Sequence, residues 1–186
     1  MSEFLNKLAK TREYLDYLEQ HYENFQKAGA LVKEALKDEP LVQYYLTYGN
    51  SFQRSCDAHD LSKFSKEEFI PYREYFYPTD AESQDKRALQ AQFNSAWEHH
   101  WQKNIHHHEL WAKHDTVASD FSITACVLMI CDWVAMSIAK QERSPREYYE
   151  SHRNSIDLPD WAERILIQVC DYMEDKPVFR DWNDHG

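Results

Sequence analysis

The sequence predicts an all-α protein, and three observations carry that prediction. Apolar residues recur at spacings of three and four along most of the chain, the period of a helix with one buried face. Turn formers are scarce, with 3 Gly and 6 Pro in 186 residues, which favours long helices over a many-stranded sheet. No stretch alternates apolar and polar residues as a half-buried strand would. The length suits one domain with a sizeable core, and 42% hydrophobic and 15% aromatic residues can fill it. The expectation is a single domain over residues 1–186 built as a bundle of about six to eight helices, with its core over about 15–173.

The elements follow in order. Residues 3–37 carry Leu5, Leu8, Tyr14, Leu15, Leu18, Tyr22, Phe25, Leu31, Val32 and Leu36 at helical spacing; Gly29 within them permits one helix or two. Pro40 ends the stretch, because the residue before a proline avoids the helical region. A second helical stretch runs from Leu41 to about Asp60, with a break expected at Gly49-Asn50. Ser62, or Ser65 with Glu68 three residues on, suggests a capping box for a helix bearing Phe69, Tyr72, Tyr75 and Phe76. Glu67 and Glu68 then read as a solvated first turn, and Pro71 as a kink or restart. Residues 78–85 read as a loop and 86–101 as a helix, with Asn104 to His108 leaving it or starting another. After a polar connection over 113–119, residues 121–141 form the most apolar helix. Ser144-Pro145-Arg146-Glu147 starts a short helix, with serine at the N-cap and proline in the first turn. The last helix runs from Asp160 to about Met173, and the polar tail beyond Pro177 is expected to fray.

The formal net charge of −11 repels nucleic-acid phosphates and argues against non-specific nucleic-acid binding. The four cysteines, Cys56, Cys126, Cys131 and Cys170, include no C-x-x-C pair. They predict neither a zinc ribbon nor a disulfide framework, and fit a reduced, cytoplasmic protein. The first residues lack a signal-peptide core, and the apolar run near 123–130 is too short to span a bilayer. No membrane association is expected; an oligomer is compatible with the sequence.

Residues 97–111 hold five of the ten histidines, His99, His100, His106, His107 and His108, between Trp97, Trp101 and Trp111. Imidazole is the commonest metal ligand. Three other places offer ligand-type side chains: His21, the pair His59-Asp60, and Asp132. Asp132 lies in the most apolar helix, where an uncompensated carboxylate is costly. Adjacent helical residues point about 100° apart, so one of His99 and His100 is expected to face a site while the other supports it or faces water. His106 and His107 pose the same choice. His21 reads as a ligand or as a satisfied interface histidine, and His108 as solvent-facing or supporting. His114, His152 and His185 read as surface residues.

His59-Asp60, with His21 upstream and Asp132 on a later helix, resembles the signature of the HD-domain superfamily of all-α, metal-dependent phosphohydrolases. The order His21, His59-Asp60, His99/His100, His106/His107, Asp132 is similar to the branch with extra histidines that binds two metals. His59-Asp60-Leu61-Ser62-Lys63-Phe64 resembles the His-Asp-x-x-Lys segment of the HD-GYP phosphodiesterases, which implies a place for Lys63 near a substrate phosphate. The Gly-Tyr-Pro part of that pattern is absent, so cyclic-dinucleotide cleavage is not implied. More closely, Ala96-Trp97-x-His99-His100 with Asn104-x-His106-His107, and Cys131-Asp132-Trp133, resemble a small uncharacterised family of phage and bacterial proteins.

The expectation is a metal-dependent phosphohydrolase acting on a nucleotide or other small phosphorylated compound through a metal-activated water. His21, His59, Asp60, His99, His100, His107 and Asp132 are the candidate ligands for one or two ions of Fe, Mn, Zn, Co or Ni. Lys63 is expected to offset phosphate charge and His106 to protonate the leaving oxygen. Two alternatives share these residues: an HD-type di-iron oxygenase, and a non-catalytic nucleotide- or protein-binding domain with a structural metal.

Overall fold

A computed structural model describes residues 2–48, 50–140 and 144–174. His185 and the polar tail beyond Pro177 lie outside the described residues. Among those described the secondary structure is wholly helical, and the all-α expectation holds. The α-helices are α1 (Glu3–Ala35), α2 (Pro40–Thr47), α3 (Ser51–Asp57), α4 (Phe69–Phe76), α5 (Lys86–Lys103), α6 (His108–Trp111), α7 (Asp120–Lys140), α8 (Pro145–His152) and α9 (Asp160–Glu174). Short 3-10 turns cover Leu61–Phe64 and Glu82–Gln84. The described residues thus hold nine α-helices, α6 being a single turn.

Local chemistry sets the boundaries. α1 passes unbroken through Gly29. Glu39 caps α2 by accepting from the Leu41 amide, and Pro40 opens its first turn. Asn50 sits in the left-handed region at φ 57° and separates α2 from α3. Ser144 and Glu147 form the expected reciprocal capping box of α8. The box expected at Ser65 and Glu68 does not form. α4 starts at Phe69, and Glu68 precedes it with no capping bond from its side chain. Pro71 therefore falls in the first turn, where no intrahelical N–H is needed, and no kink arises.

The chain divides into two compact units, the described parts of Met1–Tyr22 with Asp60–Asn104, and of Glu23–His59 with Ile105–Gly186. The first unit, here the amino unit, packs α4 on α5. Its buried Tyr14, Leu18, Tyr72 and Ala96 are joined by Tyr17, Phe69, Tyr77 and Phe93. Arg73 is fully buried and makes a two-pronged bond to Glu82, at 2.6 and 2.8 Å, with Glu74 at 2.7 Å. Bidentate pairing of this kind is what makes a buried guanidinium tolerable.

The second unit, the carboxyl unit, is organised on α7, against which α2, α3, α6, α8 and α9 pack. Phe25, Val32, Leu36, Val127, Ile130, Val134, Ile165 and Leu166 are among its fully buried residues. A Cβ on Gly29 would meet Cys56 Sγ at 3.3 Å and Phe52 Cζ at 3.6 Å, so the glycine permits close packing of α1 on α3. All four cysteines are buried and free. Burial pushes the thiol of Cys56 up to about 11 and raises those of Cys126 and Cys131 as well. They pack as protonated, small apolar groups. At 21 residues α7 exceeds the apolar run read from sequence and is long enough to cross a bilayer by length and composition. Most of its apolar stretch is buried inside the protein, as in a core helix.

Candidate metal centres

In the amino unit the ligand-type side chains converge on Asp60. The residue has φ 57°, a region that aspartate tolerates better than most side chains. This turn sends the chain into Leu61–Phe64. Side chains three apart eclipse in a 3-10 turn, and Lys63 Nζ accordingly lies 2.6 Å from Asp60 Oδ2. His21 Nε2, from α1, lies 3.3 Å from the same oxygen. His100 Nε2, from α5, lies 3.4 Å from Oδ1. Asp60, Lys63, His21 and His100 are all buried.

Glu68 completes this cluster. It is 0% exposed. Its Oε1 lies 2.7 Å from His99 Nδ1 and its Oε2 2.7 Å from His100 Nδ1. Ser62 Oγ also donates to Oε2, at 3.0 Å. Burial pushes the Glu68 carboxyl up, but the hydrogen bonds and charge of His100, with those of His99 and Ser62, outweigh it and hold the carboxyl below the usual range. Lys63 stands 5.7 Å from the Tyr17 ring centre and 5.8 Å from that of Tyr72, within cation–π range. With neutral imidazoles, Asp60, Glu68 and Lys63 leave the cluster one negative charge in excess.

In the carboxyl unit the cluster is built on packing. The His59 ring stacks on Phe25, with ring centres 3.5 Å apart. Its Nε2 lies 3.4 Å from Asp132 Oδ1 on α7. His106 is buried, its ring centre 4.6 Å from that of His59 and 4.3 Å from that of His107. Ligand atoms of His59 and His106, and of His106 and His107, lie within 4.8 Å of one another. Asp132 carries the only formal charge among these four residues if the imidazoles are neutral, so this cluster also favours a cation.

The separations divide the contacts into two kinds. Glu68 meets its two histidines at 2.7 Å, the length of a charge-assisted hydrogen bond. His21–Asp60, His100–Asp60 and His59–Asp132 stand at 3.3, 3.4 and 3.4 Å. Two donors each about 2.1 Å from one ion at a tetrahedral angle are about 3.4 Å apart. The donor types fit as well, since imidazole nitrogen with carboxylate oxygen suits first-row transition metals.

The sequence-expected residues fall as follows. His21, Asp60, His100 and Lys63 meet in the amino unit; His59, His106, His107 and Asp132 meet in the carboxyl unit. The members of the first adjacent pair have different surroundings. His99 and His100 both reach Glu68, one on each oxygen, while only His100 is within ligand distance of Asp60. Lys63 is buried and paired with Asp60 rather than open to solvent. Asp132 is not sealed in the core, for its side chain is 19% exposed. His108 stands 3.5 Å from Glu109, and burial lowers the pKa of its imidazole. His114 is exposed as expected, whereas His152 is half-buried, its ring tilted against that of Tyr148 with centres 4.4 Å apart.

Glu68 and Phe25 are the members that sequence reasoning missed. Glu68 read as a solvated cap residue because Ser65-x-x-Glu68 matches a capping box. The available signal was the histidine pair itself, since oriented imidazoles need an acceptor on the second nitrogen.

Fold and clusters together define an all-α protein bearing two histidine–aspartate sets of metal-ligand type. The chain belongs to DUF5662, a family of unknown function whose profile matches residues 10–172. No curated protein and no solved structure matches it.

Proposed function

We propose that this protein is a metal-dependent phosphohydrolase acting on a small phosphorylated compound, a nucleotide being the leading class. The observation that supports this reading most is the ligand-like spacing of three imidazole–carboxylate pairs at 3.3–3.4 Å. Its resemblance to the HD-domain order of His21, His59-Asp60 and Asp132 supports the same class. His21, Asp60 and His100 would hold one divalent ion; His59 and Asp132, with His107 nearby, would hold another. When bound, such ions supply Lewis acidity toward a phosphoryl oxygen and an activated water as nucleophile.

The chain's own residues do the rest. Lys63 keeps a positive charge beside Asp60, where it offsets negative charge gathering on a phosphoryl group. His106 is held between His59 and His107 and can donate a proton to a leaving oxygen. The acidic surface leaves recognition of an anionic substrate to these local cations rather than to a long-range field.

The test is metal analysis of the purified chain with a phosphatase screen in Mn, Co, Fe and Mg. The expected result is retained first-row metal and phosphate release that chelator abolishes and metal restores. Absence of retained metal, together with unchanged thermal melting on His59→Ala or Asp132→Ala and on chelation, would sink the proposal. Release that requires oxygen and tracks an iron signal in EPR would transfer the site to di-iron oxygenase chemistry.

A further inference from the structure

Two adjacent histidines of one helix share a single buried carboxylate, and the donors around it fix where their protons lie. Asn104 Nδ2 has two hydrogens. It donates to the His100 carbonyl at 2.8 Å and to Ser62 Oγ at 2.7 Å. Ser62 has one hydrogen and donates it to Glu68 Oε2 at 3.0 Å. Both donors also stand near His100 Nδ1, Asn104 Nδ2 at 3.1 Å and Ser62 Oγ at 3.4 Å. Their hydrogens are committed to these shorter bonds, so neither supplies one to the ring. An ionised carboxylate accepts only. At 2.7 Å from its two oxygens, His99 Nδ1 and His100 Nδ1 must each carry a hydrogen.

We infer that Glu68 is a positioning residue that locks His99 and His100 together with hydrogen on Nδ1, leaving Nε2 of His100 as the ring nitrogen that faces Asp60. The consequence for metal affinity rests on the proposed function; the tautomer lock does not. The lock gives the adjacent histidines different work from one support. His100 Nε2 stands 3.4 Å from Asp60 Oδ1 inside the cluster. His99, with its side chain 26% exposed, presents an Nε2 acceptor toward solvent.

The network also says what two substitutions do. In Glu68→Gln, one acceptor and one donor replace two acceptors. Ser62 and His100 both donate to the Oε2 position, so the amide oxygen belongs there and the amide nitrogen faces His99. His99 alone then switches to Nε2–H. In Glu68→Leu no acceptor remains and both histidines are released.

The experiment is long-range proton–nitrogen NMR of the nitrogen-15 histidine-labelled full chain, stripped of metal, at about pH 8. It is read alongside calorimetric titration with Zn or Mn alone. In the wild type, both residues are expected as Nδ1–H tautomers. Glu68→Gln is expected to switch His99 only and, since it keeps the His100 tautomer while removing one negative charge, to lower metal affinity less than Glu68→Leu does. Glu68→Leu is expected to lower affinity by about 10- to 100-fold. An Nε2–H tautomer at His100 in the wild type, or unchanged tautomers in Glu68→Gln, would overturn the inference. The wild-type spectrum decides even where Glu68→Leu fails to fold. A locked tautomer with no metal binding would retain the inference and remove the proposed function instead.

Discussion

The two histidine clusters are built by opposite means. In the amino unit, His21 and His100 are placed around Asp60 by ions and hydrogen bonds: Lys63 on Asp60 at 2.6 Å, Glu68 on His100 at 2.7 Å, Ser62 on Glu68 at 3.0 Å. In the carboxyl unit, His59 is placed by the face of Phe25 at 3.5 Å and by an apolar core around α7. The unit boundary falls at the peptide bond joining His59 to Asp60, so one dipeptide supplies a ligand-type side chain to each cluster. A polar scaffold fixes proton positions and charge balance; a packed scaffold fixes ring position. The first is fragile toward loss of any charge, and the second toward loss of volume.

The largest effect follows from the first half of that contrast. Asp60→Ala strips the counter-charge from buried Lys63 and puts alanine at φ 57°. Leaving a buried charge uncompensated costs about 3–5 kcal/mol, and the left-handed backbone adds about 1 kcal/mol for alanine. Asp60→Asn should recover the backbone part, because asparagine tolerates that region. Asp132→Ala, at a partly exposed position on a helix whose core contacts remain, should cost less than about 1 kcal/mol. Urea unfolding of the three metal-free variants checks the order. Equal losses for Asp60→Ala and Asp132→Ala would erase the distinction between the scaffolds.

A smaller effect sharpens the second half. Phe25→Leu keeps most of the buried volume and should cost about 1–1.5 kcal/mol, part of it the stacking that an aromatic pair adds. What it should change more is the position of the His59 ring. Thermal melting measures the cost, and the ring-current shift of the His59 proton resonances measures the placement. A small stability loss with a large His59 shift is the expected pairing; an unshifted His59 would mean that Asp132 and His106 hold the ring without Phe25.

Much of this contrast was legible in the sequence. The helical class followed from apolar periodicity, and the residues of both clusters from the order His21, His59-Asp60, His99-His100, His106-His107, Asp132. The supports were not. Glu68 looked like a cap because a Ser-x-x-Glu pattern is local, whereas its real partners lie about thirty residues away on α5. Asp132 looked buried because its sequence neighbours are apolar; it occupies a partly exposed face of α7 that periodicity alone did not single out. That one carboxylate serves both adjacent histidines of α5 was not legible either, because a carboxylate's two oxygens and their distant partners leave no local pattern.

The smallest effect is one of pH. Burial of Glu68 opposes its own ionisation, and the hydrogen bonds from His100, His99 and Ser62 overcome that opposition to leave its carboxyl lowered. A carboxyl depressed in the folded state adds stability that is complete above its unfolded pKa, about 4.3 for glutamate. That increment is lost as pH falls through the lower folded value. The opposing terms make the net increment modest. Urea unfolding between about pH 6 and pH 3 should therefore show the wild type losing slightly more stability on acidification than Glu68→Gln, which carries no titrating group there. The apolar placement of His59 on Phe25 contributes nothing to that difference, so Phe25→Leu should parallel the wild type. A Glu68→Gln profile as steep as the wild type would show that the histidine network is held by shape rather than by the charge of its carboxylate.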